Sequence, residues 1–426
     1  GSPRAGTAET LDHTYAASVE QTGVRLFFAL AALANKLVYG SDVSNAFGEA
    51  PPPKQTFYMR VDKVFQHWWT THLKRPPIPI GYVLPVQRAL QGHPEAPRLW
   101  AQHLSQLLTD LGFVPTTHEP CISRGTINGK DVLFLRQVDD FAIAVDDEAT
   151  FHALNDLIDQ KLNEPIKRLG LLTLYNGYDI DQTQDHVRLH CTSYIDRIIS
   201  NHPWLQETHP PSQLQPIPIP GDNAYCRALD TAETPATPAL AASLSATAGF
   251  SYRQAVGELI WAMVTCRPDI SFPVIKVSQF AAHPGEEHYE AVRQIFRYLQ
   301  ATRDYGLTYW RTTANTHLPL VPPPLPLSQP ADQLPLPPCP DDPFAVHGYV
   351  DSDWAADIRH RRSVSGIAFF LASAVIAYKT RVQPAVSTSS TEAEFVAASD
   401  AGKMALYLRS ILDELGVPQE YATLLY

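Results

Sequence analysis

The segment LFLRQVDDFAIAV, residues 133–145, restricts the fold more than any other stretch of this chain. Two apolar runs flank the adjacent carboxylates Asp139 and Asp140. Burying an unpaired carboxylate between such runs is very unfavourable. The pair must therefore sit at the tip of a strand–turn–strand unit, where it reaches solvent or holds a divalent cation. These residues alone leave both readings open. A third carboxylate, Asp42, ends the short apolar run LVYGSD. In isolation a strand-end cap is the simpler reading of Asp42. Taken together, three acids on two strand ends also suit two-metal phosphoryl chemistry. Hard Mg²⁺ takes oxygen ligands, and two ions about 3.5–4 Å apart stabilise both the attacking and the leaving oxygen.

Around this centre the pattern alternates between helix and strand. Helical spacing over 22–37 is followed by the strand that ends at Asp42, and Pro51-Pro52-Pro53 opens an irregular stretch. The stripe Leu99, Trp100, Leu104, Leu107, Leu108, Leu111 predicts a helix over 99–111, and 151–162 reads as an amphipathic helix. Residues 173–180 and 186–189 read as paired strands. Residues 203–249 are rich in Pro, Ala, Ser and Thr and read as a linker. Residues 251–302 are strongly helical. Eleven prolines between 319 and 343 favour extended polyproline geometry, which cannot make a packed core. A compact α/β pattern follows: strands over 345–350 and within 365–378, then a helix over 391–415.

Length and composition bound the answer further. The 426 residues suffice for two or three domains, and 45% apolar content supports a sizeable core. Five scattered cysteines without a CxxC argue against a disulfide scaffold and a thiolate zinc site, and fit a reducing compartment. The longest apolar run, 26–34, is about half of what spans a bilayer. A net charge of −11 argues against nucleic-acid binding.

The motifs pull the other way. SDVSNAF, FYMRVD, ALQGHPEAPRLW, QVDDFAIAV, LYNGYDIDQTQDHVRLHCTSYIDRII, SYRQAVGELIWAMVTCRPDISFPV, GYVDSDWAADIRHRRSVSGIAFFL and STSSTEAEFVAASDAGKMALYLRSIL follow one another. In order and spacing they resemble the reverse transcriptase and RNase H region of a Ty1/copia-type LTR-retrotransposon polyprotein. The resemblance implies an α+β fold. A right-hand polymerase palm with partial fingers would occupy 1–200 and a Pro/Ala/Ser/Thr-rich linker 201–249. A helical thumb or connection would occupy 250–310, a Pro-rich linker 311–344, and a truncated RNase H-like α/β domain 345–426.

It also implies roles. Asp42, Asp139 and Asp140 would bind two Mg²⁺ ions, with Mn²⁺ as an alternative and the Val43 carbonyl as an extra ligand. A primer 3′-hydroxyl would attack a dNTP α-phosphate there. Phe47 would be the steric gate, with core packing as the plain alternative. Gln91 and Gly92 would lie beside the incoming nucleotide, or form a simple turn. Asn176, Gly177 and Tyr178 would form a primer-grip hairpin, or a generic β-turn. Asp351 and Glu394 would be RNase H carboxylates and metal ligands, with Glu392 as the near alternative to Glu394. The basic run 359–362 would face phosphate or be a solvated loop. Partners would be an RNA template, a DNA primer, an RNA–DNA hybrid and dNTPs, without a membrane and with a homodimer allowed. The location would be intracellular, in cytoplasmic particles or the nucleus.

Three departures qualify the match. Gln137 stands where the family usually has an aromatic residue before Val-Asp-Asp. An upstream triphosphate-gripping basic strand has no counterpart here. The later RNase H acids are not matched before Tyr426. These departures predict weak or no polymerisation and no RNase H activity by this chain. They also keep open a degenerate or domesticated element acting as a non-catalytic nucleic-acid-binding or assembly module. A Mg²⁺-dependent phosphatase fits poorly, because its Asp-x-Asp would be Asp351-x-Asp353, too late in the chain.

Overall fold

The computed structural model describes residues 14–205, 223–312 and 344–426, except Ala356, Ile358 and Tyr421. The fold is α+β. The chain divides into two compact units, one comprising 1–19 and 38–171 and the other 20–37 and 172–426. Most of the proline-rich stretch 311–344 lies outside the described residues.

A six-stranded sheet organises the first unit. Its order is Val114–Pro115, Ile122–Ile127, Lys130–Gln137, Asp140–Val145, Leu37–Asp42 and Lys167–Leu171. The strand Asp140–Val145 is buried along its length apart from Asp140, as expected of an apolar run inside a covered sheet. Aromatic rings fill the core beside it. Phe134 and Phe141 lie 4.9 Å apart, and Tyr39 stacks on Phe151 at 5.0 Å. The helices Ala96–Asp110 and Glu148–Asp159 each bury one stripe. Asp147 caps the second helix by accepting from the Thr150 amide and pairs with Lys130. By contrast, no residue from 54 to 88 is buried, although this stretch forms a small hairpin, Tyr58–Arg60 with Val83–Pro85, and a helix, Lys63–Thr71.

The second unit holds two four-stranded sheets and most of the helices. The first sheet has the order Gly306–Trp310, His186–His190, Tyr178–Gln182, Leu174–Tyr175; the second, Ala374–Val382, Val364–Leu371, His347–Asp353, Leu424–Leu425. The helix Gln21–Leu33 buries eleven of its thirteen residues, the behaviour of a helix that is apolar all round. Its one charge, Arg25, is solvated by backbone carbonyls. The guanidinium donates to the carbonyls of Ile376 (2.9 Å), Val264 (2.9 Å) and Thr265 (2.8 Å) and lies 4.5 Å from the Tyr378 ring. The helix Ser390–Glu414 covers one face of the second sheet through Ala393, Ala397, Ala401, Leu408 and Leu412. Within 201–249, read from composition as a linker, the described residues form the helices Asn223–Thr231 and Pro238–Ala248. Among the described residues no helix is long and apolar enough to cross a membrane.

Candidate active site

Three features of the local sequence place the acids of the first unit. The strand Leu37–Asp42 carries an irregularity between Gly40 and Ser41, which re-aims its end. Ser41 is buried and its hydroxyl donates to Asn155 Oδ1 at 2.8 Å, which fixes the residue next to Asp42. The strands Lys130–Gln137 and Asp140–Val145 pair as a hairpin with Gln137 opposite Asp140, leaving Val138 and Asp139 as the two-residue turn. The Val43 amide donates to the Asp139 carbonyl at 3.0 Å and so ties the two strand ends together. Asp42, Asp139 and Asp140 thus share one neighbourhood.

Their charges are coupled. The Asp140 carboxyl is pushed above the ordinary carboxylate range, first by burial and then by repulsion from Asp139 and Asp42. Among the described residues no group of three His, Cys, Asp or Glu side chains stands arranged to hold a metal ion. The donor chemistry nevertheless suits one. The available ligands are hard oxygens, the carboxylates and the Val43 carbonyl, and their mutual repulsion is the kind that a divalent cation relieves.

The tip of the hairpin is strained. Val138 has φ +58°, left-handed space that a β-branched residue rarely adopts, and its carbonyl accepts a 2.7 Å bond from Trp100 Nε1. Neither this hydrogen bond of Trp100 nor the strain was read from the sequence. A buried Trp on the apolar stripe of its helix gives no sign that its N–H serves the turn. The Gln137 side chain accepts from the Val19 amide at 3.1 Å, so the residue that departs from the family pattern is engaged within its own unit.

Phe47 lies half-buried on the short helix Ala46–Glu49, entered through Asn45 at φ +52°. Glu49 on that helix is buried and holds the amide of Asn163 at 2.8 Å. Gln91 and Gly92 are exposed in a turn closed by the His93 amide on the Leu90 carbonyl, with Gly92 at φ +91°. That positive φ at the third position is what a type II turn requires. The Ala89 amide bonds the Ala50 carbonyl at 3.2 Å, which brings this turn and the Phe47 helix into one neighbourhood.

Asn176 and Gly177 belong to the second unit. With φ +47° and +83° they form a two-residue hairpin turn between Tyr175 and Tyr178. A Cβ on Gly177 would meet the Trp261 ring at 2.5 Å, so both conformation and packing demand glycine. Tyr178 is fully buried, and its hydroxyl donates within reach of Gln21 Oε1 (2.6 Å) and the Thr265 carbonyl (2.9 Å). It is therefore a core residue, and only Asn176 and Gly177 face outward.

Also in the second unit, Asp351 stands exposed on the strand His347–Asp353 and Glu394 near the start of the helix Ser390–Glu414. The Ser352 amide donates to both, to Asp351 Oδ1 at 2.8 Å and to Glu394 Oε1 at 3.3 Å. Glu392 turns away and accepts from the amide (2.6 Å) and hydroxyl (2.8 Å) of Thr388, an N-terminal capping role that draws its carboxyl below the usual range. In the basic run, Arg359 pairs with buried Asp230 at 3.4 Å and His360 bonds Asp357 at 2.9 Å.

Residues 4–210 match the family described as "Reverse transcriptase (RNA-dependent DNA polymerase)". The chain is 26% identical over 412 residues to the "Retrovirus-related Pol polyprotein from transposon TNT 1-94" of Nicotiana tabacum, covering 96% of this chain and 27% of that protein. It is 25% identical over 409 residues to the corresponding polyprotein from transposon RE1 of Arabidopsis thaliana, covering 95% of this chain and 24% of that one. A further relative, "Secreted RxLR effector protein 161" of Plasmopara viticola, is 36% identical over 157 residues, covering 37% of this chain and 90% of the effector. The chain thus spans about a quarter of the length of the transposon polyproteins it matches. On the shared motifs, the match over 4–210 and the similarity along nearly the whole chain, this protein belongs to the reverse transcriptase family of copia-type retrotransposon polyproteins.

Proposed function

We propose that the chain carries the nucleotidyl-transfer site of an RNA- and DNA-templated DNA polymerase, built on Asp42, Asp139 and Asp140. The observation that carries this reading is the Val43–Asp139 backbone bond, which joins the ends of two neighbouring inner strands, where Asp140 feels the repulsion of Asp139 and Asp42. Asp42, Asp139, Asp140 and the Val43 carbonyl would hold two Mg²⁺ ions, or Mn²⁺. Bound divalent ions supply an acidified primer hydroxyl and neutralisation of the triphosphate. The protein's own part is to keep these oxygens on a rigid hairpin, with Trp100 holding the strained turn. Phe47 would face the sugar of the incoming dNTP and restrict a ribose 2′-hydroxyl. Gln91 and Gly92 would line the same nucleotide. Asn176 and Gly177 would offer backbone to the primer end, with Tyr178 anchoring that turn from beneath.

In this reading residues 1–200 are the palm with its fingers portion, 250–310 the thumb or connection, and 345–426 an RNase H-like domain. The regions 201–249 and 311–344 connect them. Asp351 and Glu394, drawn to one amide by Ser352, would be metal-binding acids of the last domain. An intracellular location, in particles or the nucleus, belongs to the same proposal.

The nucleic-acid partner is supported by a feature that the net charge conceals. Residues 54–85 carry five Lys or Arg against one acid, inside a chain of net −11. The same stretch exposes Tyr58, Trp68 and Tyr82, and sets Arg75 4.9 Å from the Trp69 ring. Exposed aromatics among cations are the chemistry of single-strand binding, where bases stack and phosphates pair.

The test is primer extension on an RNA template with Mg²⁺. Asp139→Asn should abolish extension while leaving circular dichroism and template–primer affinity as in the parent. Extension by the variant at the parent rate would overturn the assignment. Template binding without extension by the parent chain would favour the non-catalytic module instead.

A further inference from the structure

Arg25 is the one charge of the helix Gln21–Leu33 and is only 3% exposed. Its guanidinium is shared between three parts of the second unit. Nε donates to the Ile376 carbonyl at 2.9 Å. Nη1 donates to the carbonyls of Val264 at 2.9 Å and Thr265 at 2.8 Å. The Tyr178 hydroxyl lies 2.9 Å from the same Thr265 carbonyl and 3.4 Å from Nη1.

Each part carries something beyond its own packing. Tyr178 closes the turn Asn176–Gly177, and Gly177 packs on Trp261. Trp261 belongs to the helix Tyr252–Thr265, whose last carbonyls Arg25 takes. Carbonyls at a helix end have no partner within the helix, so a buried end needs such a donor. Ile376 lies on Ala374–Val382, the edge strand of the sheet that carries Asp351. Register passes from Phe370 opposite Val375 to Phe369 opposite Ala377, so Ile376 is the extra residue of a bulge. Ile376 is fully buried, and its carbonyl is satisfied by Arg25 rather than by a strand. Two tyrosines flank this bond. The Tyr309 hydroxyl donates to the Val375 carbonyl at 2.8 Å, and the Tyr378 hydroxyl donates to the Met263 carbonyl.

We propose that Arg25 is a positioning residue that couples the turn Asn176–Gly177 to the sheet of Asp351, so that the two move as one body. A guanidinium suits this task because it is planar and presents its donors in fixed directions, whereas a lysine ammonium is a compact charge on a flexible stem. Relative motion is the default for domains joined through a chain segment, and this coupling suppresses it. That the turn meets a primer end rests on the polymerase reading; the coupling itself does not. Where the turn holds a primer, the duplex passes Asp351 and Glu394 at one spacing.

The experiment is a distance measurement between two spin labels by pulsed electron paramagnetic resonance, on the full chain without nucleic acid or metal. The labels go on Leu174→Cys, beside the turn, and Leu406→Cys, on the helix that covers the sheet; both positions are exposed. The background carries Cys339→Ser, because the other four native cysteines are buried. A second pair, Val386→Cys with Leu406→Cys, lies wholly within the C-terminal domain and serves as control. The parent should give a Leu174–Leu406 distribution no wider than the control. Arg25→Lys keeps the charge but loses the fork, and should widen that distribution by about twofold or more while leaving the control pair unchanged. Tyr309→Phe with Tyr378→Phe removes the two flanking bonds and should widen it in the same direction. Should Arg25→Lys fail to fold, this double variant decides alone. A parent distribution wider than the control, or widths unchanged in both variants, would overturn the proposal. Equal widening of the control pair would also overturn it, since Arg25 would then support only the sheet itself. No primer takes part, so failure here leaves the polymerase reading to primer extension, and failure of extension leaves the coupling standing.

Discussion

Asp140 shows how an acid placed among other acids burdens the fold that carries it. Burial and two neighbouring acids raise its pKa above the unfolded value, so its charged form is disfavoured in the native state. The stability it contributes is fully present below the ordinary carboxylate pKa and is lost as pH rises through the raised one. In chelator at neutral pH, Asp140→Asn should therefore raise the melting temperature, and the gain should shrink as pH falls through the carboxylate range. The same variant should lose primer extension. A melting temperature lowered by the substitution would contradict the repulsion described here. Arg25 is the opposite case, a buried charge that the fold requires. Arg25→Met would strand the carbonyls of Val264 and Ile376, each at roughly 1–3 kcal/mol. Thermal unfolding should show a fall of several degrees, and an unchanged midpoint would mean that those carbonyls find other donors.

Elements differ in how plainly they are written. The hairpin Lys130–Gln137 with Asp140–Val145 and the helix Ala96–Asp110 follow from local periodicity and agree with the sequence reading to within a few residues. The helix Lys63–Thr71 carries Val64, Phe65, Trp68 and Trp69 at helical spacing, but it is short, follows the Pro51-Pro52-Pro53 break and buries none of these side chains, and the sequence reading leaves it inside an irregular stretch. The pairing of His186–His190 with Gly306–Trp310 joins strands more than a hundred residues apart, which no local pattern encodes. At the candidate site the acids were legible as sequence motifs, whereas the Trp100–Val138 bond and the Ser352 bridge depend on tertiary placement. Glu394 could not be separated from Glu392 by spacing alone; the capping bonds of Thr388 separate them. Gly177→Ala should destabilise by more than the usual ~1 kcal/mol of a positive-φ glycine, because its methyl also meets Trp261, and chemical denaturation would measure it. Replacing Trp68 and Trp69 by Ala should weaken single-strand binding, by about 1–3 kcal/mol per base stack lost, with little change in its salt slope, whereas Lys74→Ala should flatten that slope. Equal effects of both substitutions on the slope would argue against stacking.

The whole molecule comprises two compact units, each with its own sheets and its own group of acids. The overall negative charge and the basic, aromatic stretch 54–85 are reconciled by location, since charge that is unfavourable on average is locally favourable where a strand would lie. The central claim is that Asp42, Asp139 and Asp140 hold divalent cations as one site. Mn²⁺ titration followed by electron paramagnetic resonance tests it most directly, in an Asp351→Ala background that removes the other acidic pair. The account predicts saturable Mn²⁺ binding that falls sharply on substituting any one of Asp42, Asp139 or Asp140 with Asn. Binding that survives all three single substitutions at the parent affinity would contradict it.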